Sequence, residues 1–343
     1  MLTPEQMGTL LAGLPDGCGA AALALRRGDV ILQAGVNLSS DHSTGPGSPA
    51  PLFLAYSCTK TFIAALVLRL GEEGRLALTD PVSRWFPDLP HSSAITVRHL
   101  LNHTSGLPDY GPLAAYHQAV RRTPSRPWNS DEFLARTLAQ GVLFEPGKGW
   151  SYSNIGYLLL RMIVETLTGE RLAGLLAARF FHPLGLGDTF VPETVADLGR
   201  LQPSRSGLVA EEGAVDVRRV YHPGWVSHGV VASTPADMAE FCRRLFTGAV
   251  LSRDSLAAMT TLTPVPGAPP RYGRPCYGLG IMADCASRFG MLLGHNGGGP
   301  GYGASVFHAP DHHGGPLTVC AMVACEAPDL AERLVMAVLE ETA

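Results

Sequence analysis

The sequence predicts an α/β fold of the α+β type, in which helices flank a mainly antiparallel sheet. Three observations support this prediction. Strand-like segments lie near both ends of the 343-residue chain, helical patterns fill its middle, and short turns connect the strands near the C-terminus. Short turns connect antiparallel neighbours, whereas parallel strands need long crossovers. We therefore expect both ends of the chain to contribute to one sheet, with a helical lobe inserted between them.

The N-terminal region predicts a helix followed by a hairpin. Thr3 can cap the helix, Pro4 suits its first position, and the helical pattern extends to Leu14. Strand-like runs at 20–25 and 30–36 then flank a short polar turn, which is a hairpin pattern.

A second helix is expected after a loop. Residues 39–51 are rich in Ser, Gly and Pro, which is typical of a loop. Ser57 then begins an apolar helix that covers residues 58–73, and Gly74 ends it.

The rest of the chain predicts helices first and strands later. Thr234 can cap one of these helices, with Pro235 at its first position and Asp237 completing a capping box. The predicted helices are 97–102, 131–140, 155–168, 172–181, 234–246 and 328–341. The predicted strands are 277–283, 291–295, 304–308 and 317–325, and a connector rich in Pro and Gly precedes them at 263–275.

This order of elements divides the chain into two expected lobes. Residues 1–78 and 226–343 form the lobe that contains the sheet, and residues 79–225 form the helical lobe. The sheet lobe carries Ser57, Lys60 and His295, and the helical lobe carries Tyr152 and Asn154.

The composition argues against several classes of protein. Apolar residues make up 46% of the chain, charged residues make up 16%, and the formal net charge is −4. This is a globular composition without the positive charge of a nucleic-acid-binding protein. The most apolar segment, 155–167, is too short and too charged to span a membrane. We expect no nucleic-acid or membrane partner, and the oligomeric state stays open.

The cysteines and the first residues bear on location. Seven cysteines occur without a Cys-x-x-Cys pair, so reduced thiols are expected instead of a disulfide framework or a zinc site. The first residues lack the basic segment and apolar stretch of a secretory signal. Both observations favour a cytoplasmic protein.

The first chemical motif is Ser57-Cys58-Thr59-Lys60. Residues three apart share a helix face, so Lys60 is expected beside the Ser57 hydroxyl. The helix N-terminus would stabilise negative charge that develops on this oxygen. A buried, neutral lysine could accept the serine proton, which arginine cannot do. Ser-x-x-Lys alone is a weak signal, but Lys60 is one of only two lysines in a chain that otherwise uses arginine.

The second motif is the run from Trp150 to Asn154, which precedes the helix at 155–168. Tyr152 and Asn154 are two residues apart, so in an extended loop they point the same way. A phenol can transfer a proton, and an amide can orient a lysine and a substrate carbonyl. The alternative is that Asn154 caps the helix and Tyr152 only packs.

The third motif is the glycine-rich run from Gly294 to Tyr302. Glycines beside a strand allow a ligand to approach the backbone closely. Gly299, Gly301 and Ala304 match the spacing of a dinucleotide loop, but the following residues predict a strand where such a loop needs a helix. A nucleotide site is therefore not expected, and we expect no cofactor.

Other candidate patterns have simpler explanations. The run Asp311-His312-His313 lies in a turn between strands and would rarely converge on one ion, so no metal site is expected. Cys58 is expected on a different helix face from Ser57, in the core. His103 and Ser105 fit a helix-terminating turn better than a catalytic dyad. No Gly-x-Ser-x-Gly elbow occurs, which disfavours an α/β-hydrolase.

Together, the three motifs resemble those of the serine β-lactamase and penicillin-binding-protein superfamily, whose signature combines Ser-x-x-Lys, a Ser/Tyr-x-Asn element and Lys-Thr-Gly. The form Tyr152-Ser153-Asn154 resembles the branch of class C β-lactamases, D-peptidases, D-amino-acid amidases and esterases. Segments 76–82, 95–107 and 145–147 also resemble that branch, and the resemblance runs from about residue 30 to the C-terminus.

The resemblance implies a role for each site residue. Ser57 would be the acylated nucleophile, and Lys60 and Tyr152 would handle its proton, with the base unassigned between them. Asn154 would position Lys60 and the substrate. The backbone N–H groups of Ser57 and Gly298 would form the oxyanion hole. The strand edge beside the acyl group would consist of His295, Asn296 and Gly297.

One departure from the lactamase pattern bears on the substrate. His295-Asn296-Gly297 stands where class C β-lactamases have Lys-Thr-Gly, so the lysine charge and threonine hydroxyl that would bind a lactam carboxylate are missing. Asn296 could donate one hydrogen bond, and His295 is expected to gain charge only toward pH 6. We therefore expect a serine hydrolase that acts through an acyl-enzyme on small esters, amides or short peptides. The alternatives are a class C-like β-lactamase or D-alanyl-D-alanine carboxypeptidase, an acyltransferase, and a non-catalytic penicillin-binding or scaffold protein.

Overall fold

The computed structural model describes residues 2–14, 18–37, 51–267 and 271–343, so the predicted loop at 39–51 lies outside the described residues except at its last position. The strands are β1 (Ala21–Arg27), β2 (Val30–Val36), β3 (Phe53–Leu54), β4 (Arg205–Ser206), β5 (Val215–Asp216), β6 (Ala232–Ser233), β7 (Thr263–Pro264), β8 (Pro275–Tyr277), β9 (Met282–Ser287), β10 (Gly290–Gly299), β11 (Tyr302–Ala309) and β12 (Leu317–Val323). The helices are α1 (Pro4–Ala12), α2 (Thr59–Glu72), α3 (Val97–Leu101), α4 (Ala114–Arg122), α5 (Ser130–Leu138), α6 (Asn154–Thr168), α7 (Leu172–Leu176), α8 (His182–Leu184), α9 (Val217–Val220), α10 (Pro235–Phe246), α11 (Arg253–Met259) and α12 (Pro328–Glu341).

The main sheet joins the two ends of the chain. Its strand order is β2-β1-β12-β11-β10-β9-β8-β7, and every neighbouring pair is antiparallel. The pair β1–β12 places Ala21 opposite Val323. The predicted fold class, with a mainly antiparallel sheet built from both ends and flanked by helices, is confirmed.

Alternating side chains cover both faces of the sheet. On β12, Leu317 and Val319 pack with residues of α1 and α12 in a smaller core. Cys320 and Met322 point the other way, into a larger core that includes α2, α6 and α10. Because both faces are covered, every residue of β12 is buried, and all but Thr318 are apolar.

Helices from the middle of the chain meet α2 through α6. The helix α6 contacts α2, α3 and α5, and its first residue, Asn154, is the last residue of the second sequence motif. Ser153 caps the start of α6, and Gly169, with a φ of 75°, ends it. Within the described ranges, no helix combines the length and the apolar character that crossing a membrane requires.

The predicted strand at 277–283 is wrong, because the chain turns in its middle. The strand β8 ends at Tyr277, and β9 begins at Met282. Between them Gly280 has a φ of 73°, which a residue with a side chain adopts only under strain. Its N–H donates to the Leu101 carbonyl at 3.2 Å, and its carbonyl accepts from the Thr61 hydroxyl at 2.8 Å. This turn therefore packs directly on α2.

Other local predictions also need correction. The strand predicted at 291–295 continues through the glycine run as β10, and the connector at 263–275 contributes β7 and the first residue of β8. The helices α4 and α11 were not predicted. Thr234 caps α10, but the carboxylate of Asp237 accepts from the Thr189 hydroxyl at 2.8 Å, so half of the predicted capping box forms.

Candidate active site

The turn that carries Ser57 has a strained backbone. Ser57 lies in the 3₁₀ turn Tyr56–Cys58 immediately before α2, and Tyr56 has a φ of 43°, in the left-handed region that residues with side chains seldom occupy. The Tyr56 hydroxyl donates to the Pro300 carbonyl at 2.6 Å and anchors the turn. Strain of this kind is often found at functional sites. The turn leaves Ser57 half-exposed at the N-terminal end of α2.

Lys60 lies one turn further along α2 and is fully buried. Its Nζ is 3.1 Å from Ser57 Oγ, 2.8 Å from Asn154 Oδ1 and 3.2 Å from His228 Nε2. Burial lowers the pKa of Lys60 from 10.5 to about 7, against the opposing effect of the Asp109 carboxylate. A substantial fraction of this amine is therefore neutral near pH 7, within hydrogen-bonding distance of the Ser57 hydroxyl.

Asn154 is the first residue of α6 and directs its amide oxygen at Lys60. The alternative in which Asn154 caps the helix is wrong, because Ser153 Oγ accepts the capping bond from the Gly156 N–H at 3.3 Å. Asp109 accepts from the backbone N–H of Asn154 at 2.9 Å and from its Nδ2 at 3.1 Å. These two bonds give the amide a single orientation.

Asp109 is a site residue that sequence reasoning missed. Burial raises the pKa of its carboxyl, although the hydrogen bonds from Asn154 and the charge of Lys60 oppose this effect. Nothing in the local pattern around residue 109 relates it to the second motif, since the fold alone brings them together.

Asp109→Asn is expected to lower kcat/KM for a good substrate by about one to two decades, the usual worth of hydrogen bonds to a charged group. The new amide cannot accept from both donors of Asn154, so Asn154 loses its fixed orientation toward Lys60. Because the Asp109 charge raises the pKa of Lys60, its removal should also shift the acidic limb of the pH–rate profile to lower pH. Asp131→Asn, at an exposed position on α5, is the control. An unchanged rate and an unchanged acidic limb in Asp109→Asn would contradict this role.

Tyr152 covers Lys60 from another side. Its ring centre is 4.9 Å from Lys60 Nζ, so Tyr152 and Asn154 face the same amine, as their spacing predicted. Burial raises the pKa of Tyr152 well above its usual value, although a hydrogen bond with Ser57 opposes the shift. Tyr152 is therefore a neutral phenol at neutral pH.

His103 supports the loop that carries Tyr152. Their ring centres are 4.3 Å apart, and His103 Nδ1 accepts from the Ser153 N–H at 3.1 Å. The carbonyl of His103 also accepts from the Ser151 N–H at 3.0 Å. These contacts explain His103 without a catalytic dyad.

The glycine run of β10 packs against the Ser57 turn. The pairing of β9 with β10 ends at Gly294, which leaves the later residues of β10 on an edge without a β9 partner among the described residues. A side chain at Gly297 would come within 3.0 Å of the Ser57 backbone nitrogen, and one at Gly299 would meet the Tyr56 ring at 2.5 Å. Glycine is needed at both positions because the turn lies directly on the strand.

His295 is buried and neutral. Its Nε2 is 2.9 Å from the Tyr277 hydroxyl, and its ring centre is 6.5 Å from that of Tyr152. Burial, together with the nearby charge of Lys60, lowers the pKa of His295 to about 3. The expectation that His295 gains charge toward pH 6 is therefore wrong.

Asn296 points away from Ser57, contrary to its expected role in binding substrate. Its Nδ2 donates to Glu332 at 2.9 Å, and its Oδ1 accepts from the Ser305 hydroxyl at 2.8 Å. Successive side chains of a strand alternate between faces, so His295 and Asn296 cannot both face Ser57. The expected strand edge included both residues, but the alternation of faces along a strand allows only one of them to face the site.

A cavity of about 210 Å³ opens at Ser57. None of the described residues that line it is Lys, Arg, Asp or Glu, and the exposed backbone of Gly298 also contributes to it. Its aromatic wall consists of Tyr56, Tyr110, Tyr116, Tyr221 and Trp225. A larger cavity of about 920 Å³ lies between β9 and α12 and reaches Tyr152, but its described lining includes neither Ser57 nor Lys60. The smaller cavity is therefore the candidate substrate site, and it suits an uncharged, apolar group.

Two curated relatives match most of this chain. Penicillin-binding protein 4* of Bacillus subtilis (strain 168) is 30% identical over 311 residues, which cover 84% of this chain and 65% of that protein. The esterase EstB of Burkholderia gladioli is 31% identical over 320 residues, which cover 85% of this chain and 75% of the esterase. The chain thus spans slightly less than two thirds of the penicillin-binding protein.

A solved structure has the same fold. The D-stereospecific amidohydrolase from a Streptomyces species superposes with a TM-score of 0.84 at 28% identity, over 98% of both chains. The model of the family described as Beta-lactamase matches residues 10–341. The proteins that are similar to this chain thus include an esterase and an amidohydrolase, as the resemblance of the three motifs implied. On a match that extends over nearly its whole length, this chain belongs to the β-lactamase family.

Proposed function

We propose that this protein is a serine hydrolase that forms an acyl-enzyme on Ser57 with small, uncharged esters or amides. The contact between Lys60 and Ser57 carries the proposal: a fully buried amine with a pKa of about 7 lies 3.1 Å from the serine oxygen. A lysine with its ordinary pKa would be protonated at pH 7 and could not accept the serine proton.

The acylation step follows from this contact. Neutral Lys60 takes the proton of Ser57, Oγ attacks the substrate carbonyl, and the backbone N–H groups of Ser57 and Gly298 stabilise the oxyanion. The raised pKa of Tyr152 favours Lys60 as the base. The phenol then gives its proton to the departing alcohol or amine and is reprotonated by the proton that Lys60 took from Ser57, so both groups end neutral. Asn154 holds the lysine in line. Water then attacks the acyl carbonyl and releases the acid.

The lining of the cavity supports the substrate class. Its aromatic wall offers apolar contact, and no charged side chain among its described residues would pair with a substrate carboxylate. Neutral His295 and the outward-facing Asn296 do not supply that charge either. The names of the esterase and the D-stereospecific amidohydrolase support esters and amides as the substrates, including amides of D-configured acids.

Intact mass spectrometry after mixing with a panel of substrates tests the proposal. The panel contains p-nitrophenyl acetate, D-phenylalanine amide and penicillin G. A transient acyl adduct with an ester or amide, followed by release of the acid, supports a hydrolase. A permanent penicillin adduct without turnover of any substrate would instead support a non-catalytic penicillin-binding protein, and transfer of the acyl group to an added alcohol in preference to water would support an acyltransferase.

Short-chain p-nitrophenyl esters are expected to be hydrolysed with a kcat/KM above that of nitrocefin by roughly tenfold or more at pH 7.5. A charge-assisted hydrogen bond to the lactam carboxylate contributes about 1.5–3 kcal/mol, or roughly one to two decades in rate, and the cavity offers none. Protonation of His295 should not raise nitrocefin turnover when the pH is lowered to 6, because His295 stays neutral while Lys60 becomes protonated. Nitrocefin hydrolysis as efficient as that of the best ester would restore the β-lactamase alternative.

A further inference from the structure

His228 lies against the candidate base, and nothing in the three motifs pointed to it. The side chain is 1% exposed, and its Nε2 is 3.2 Å from Lys60 Nζ. Its Nδ1 is buried and has no hydrogen-bond partner among the described residues. Burying an imidazole nitrogen without a hydrogen-bond partner costs folding free energy. The protein nevertheless keeps this ring in place, and its other nitrogen contacts Lys60, so a role for that contact is worth seeking.

The backbone holds His228 beside the Ser57 turn. The short strands β3 and β6 pair, with Leu54 opposite Ala232, and thereby join the segment before Ser57 to the segment after His228. Val231 accepts from the Ala55 N–H at 2.8 Å and donates to the Thr59 hydroxyl at 2.9 Å. The position of His228 relative to Lys60 is therefore set by the same backbone bonds that position the serine turn.

Three groups surround Nζ, and two have assigned directions. Asn154 presents its oxygen, because Asp109 accepts from its Nδ2. Ser57 Oγ accepts from Nζ once the serine proton has moved to the amine. An ammonium group has three N–H donors and therefore needs a third acceptor, which only His228 Nε2 supplies among the described contacts of Nζ.

We infer that His228 is a positioning residue whose Nε2 accepts a hydrogen bond from Lys60 and completes the acceptor set of the ammonium form. In the catalytic cycle, which rests on the proposed function above, this bond would stabilise Lys60 while it carries the proton of Ser57. It would also direct one N–H of the neutral amine away from Ser57, so that the lone pair of Nζ faces the serine hydroxyl.

The tautomer of His228 determines whether its Nε2 accepts a hydrogen bond from Lys60 or donates one to it. With the proton on Nδ1, Nε2 accepts and the Lys60 lone pair stays available. With the proton on Nε2, the ring would donate into that lone pair and block the base. Burial and surrounding positive groups keep the imidazole uncharged, since they lower the pKa of His228 well below its ordinary value.

The groups that face this pair come from several elements. Around His228 they are Lys60, Arg161, His295 and His103, with the Tyr157 ring centre 6.2 Å away. Around Lys60 they are Asp109, Cys58 and the rings of Tyr152 and Tyr157, whose centres lie 4.9 and 5.4 Å from Nζ. Of these groups, Asp109 stabilises the ammonium by its charge, and His228 is the neutral acceptor.

The low lysine content permits a direct test. Protein labelled with ¹³Cε-lysine should give only two lysine side-chain signals in NMR, from Lys60 and Lys148. Lys148 is exposed and serves as the internal reference, and Lys60→Arg assigns the other signal. The pKa of Lys60 is then read from its pH titration in the wild type, in His228→Gln, which keeps an acceptor near the position of Nε2, and in His228→Met, which has a similar shape without that acceptor.

The pKa of Lys60 is expected to fall by about one pH unit in His228→Met and to return most of the way in His228→Gln, because a hydrogen bond to the charged form favours protonation. In kinetics, the acidic limb of the kcat/KM profile should move down in pH by the same amount in His228→Met, with a loss of roughly tenfold in kcat. A Lys60 pKa that is unchanged or higher in His228→Met would overturn the inference, and a higher value would mean that the ring donates to the amine.

A second measurement uses the wild-type protein, so it does not depend on whether a variant folds. The ring ¹⁵N shifts of His228 in the wild type distinguish a protonated Nδ1 with a free Nε2, the expected result, from the reverse tautomer, which would refute the inference. Neither NMR experiment uses a substrate. If both agree with the expectation and no ester or amide is turned over, the proposed function fails while the contact between His228 and Lys60 stands.

Discussion

Ser57→Ala is expected to abolish labelling by a fluorophosphonate probe and to reduce the turnover of small esters on the order of a thousandfold or more, the usual scale for loss of a serine nucleophile. The variant removes the only atom of this residue that can be acylated. It keeps the turn, because Tyr56 and Gly299 position the backbone without using the serine hydroxyl. The fold should therefore survive while the chemistry is lost.

The measurement pairs active-site labelling with kcat for p-nitrophenyl acetate. Ser255→Ala, on α11 and away from the cavity, is the matched control and should keep both labelling and rate. Peptide mapping of the labelled wild type should place the phosphonate on Ser57. Labelling of Ser57→Ala at another residue, with the rate retained, would rule out the proposed mechanism.

Lys60→Arg is expected to be nearly as damaging as Lys60→Ala, although it keeps the positive charge. The proposed mechanism needs a neutral amine, and the guanidinium of arginine stays protonated even when buried. The larger group would also have to fit among Ser57, Asn154 and His228, which surround Nζ at 2.8–3.2 Å. Both variants should lose about a hundredfold or more in kcat, the scale of general-base catalysis.

The pH profile supplies the second half of this test. The folded pKa of Lys60 is lowered from 10.5 to about 7, so the amine is protonated below pH 7 and neutral above it. In the wild type kcat/KM should therefore rise with pH through about 7 and then level off. Lys148→Arg, at the other lysine of the chain, should keep rate and profile. An arginine variant at position 60 with most of its activity would mean that only positive charge matters there.

Local signals predicted the parts of this fold that short stretches of sequence determine. The Thr3 cap of α1, the hairpin of β1 and β2 and the N-terminal end of α2 each depend on residues within a few positions of one another. The same holds for the contact of Ser57 with Lys60, which a single helical turn brings together. The resemblance of the three motifs to a known family then predicted how distant segments meet.

Contacts that depend on the tertiary fold were missed. Asp109 and His228 reach Asn154 and Lys60 from segments whose own sequences indicate only a turn and a loop. The break at Gly280 was missed although Gly278 and Gly280 are both poorly suited to the interior of a strand, and the close approach to α2 explains why the chain turns there. A pattern of propensities does not encode such pairings, since each depends on where a remote part of the chain lies.

The pairing of β1 with β12 has a consequence for how the chain acquires its structure. The hairpin of β1 and β2 leaves the ribosome early, whereas β12 is among the last segments to be made. Until then, β1 presents an unpaired edge, and its apolar residues lack the part of the smaller core that β11, β12 and α12 contribute. Contacts between segments that are remote in the sequence slow folding, so that aggregation-prone intermediates with exposed apolar surface persist for longer. A growing chain must therefore protect the β1 edge from neighbours until residues 317–323 have been synthesised.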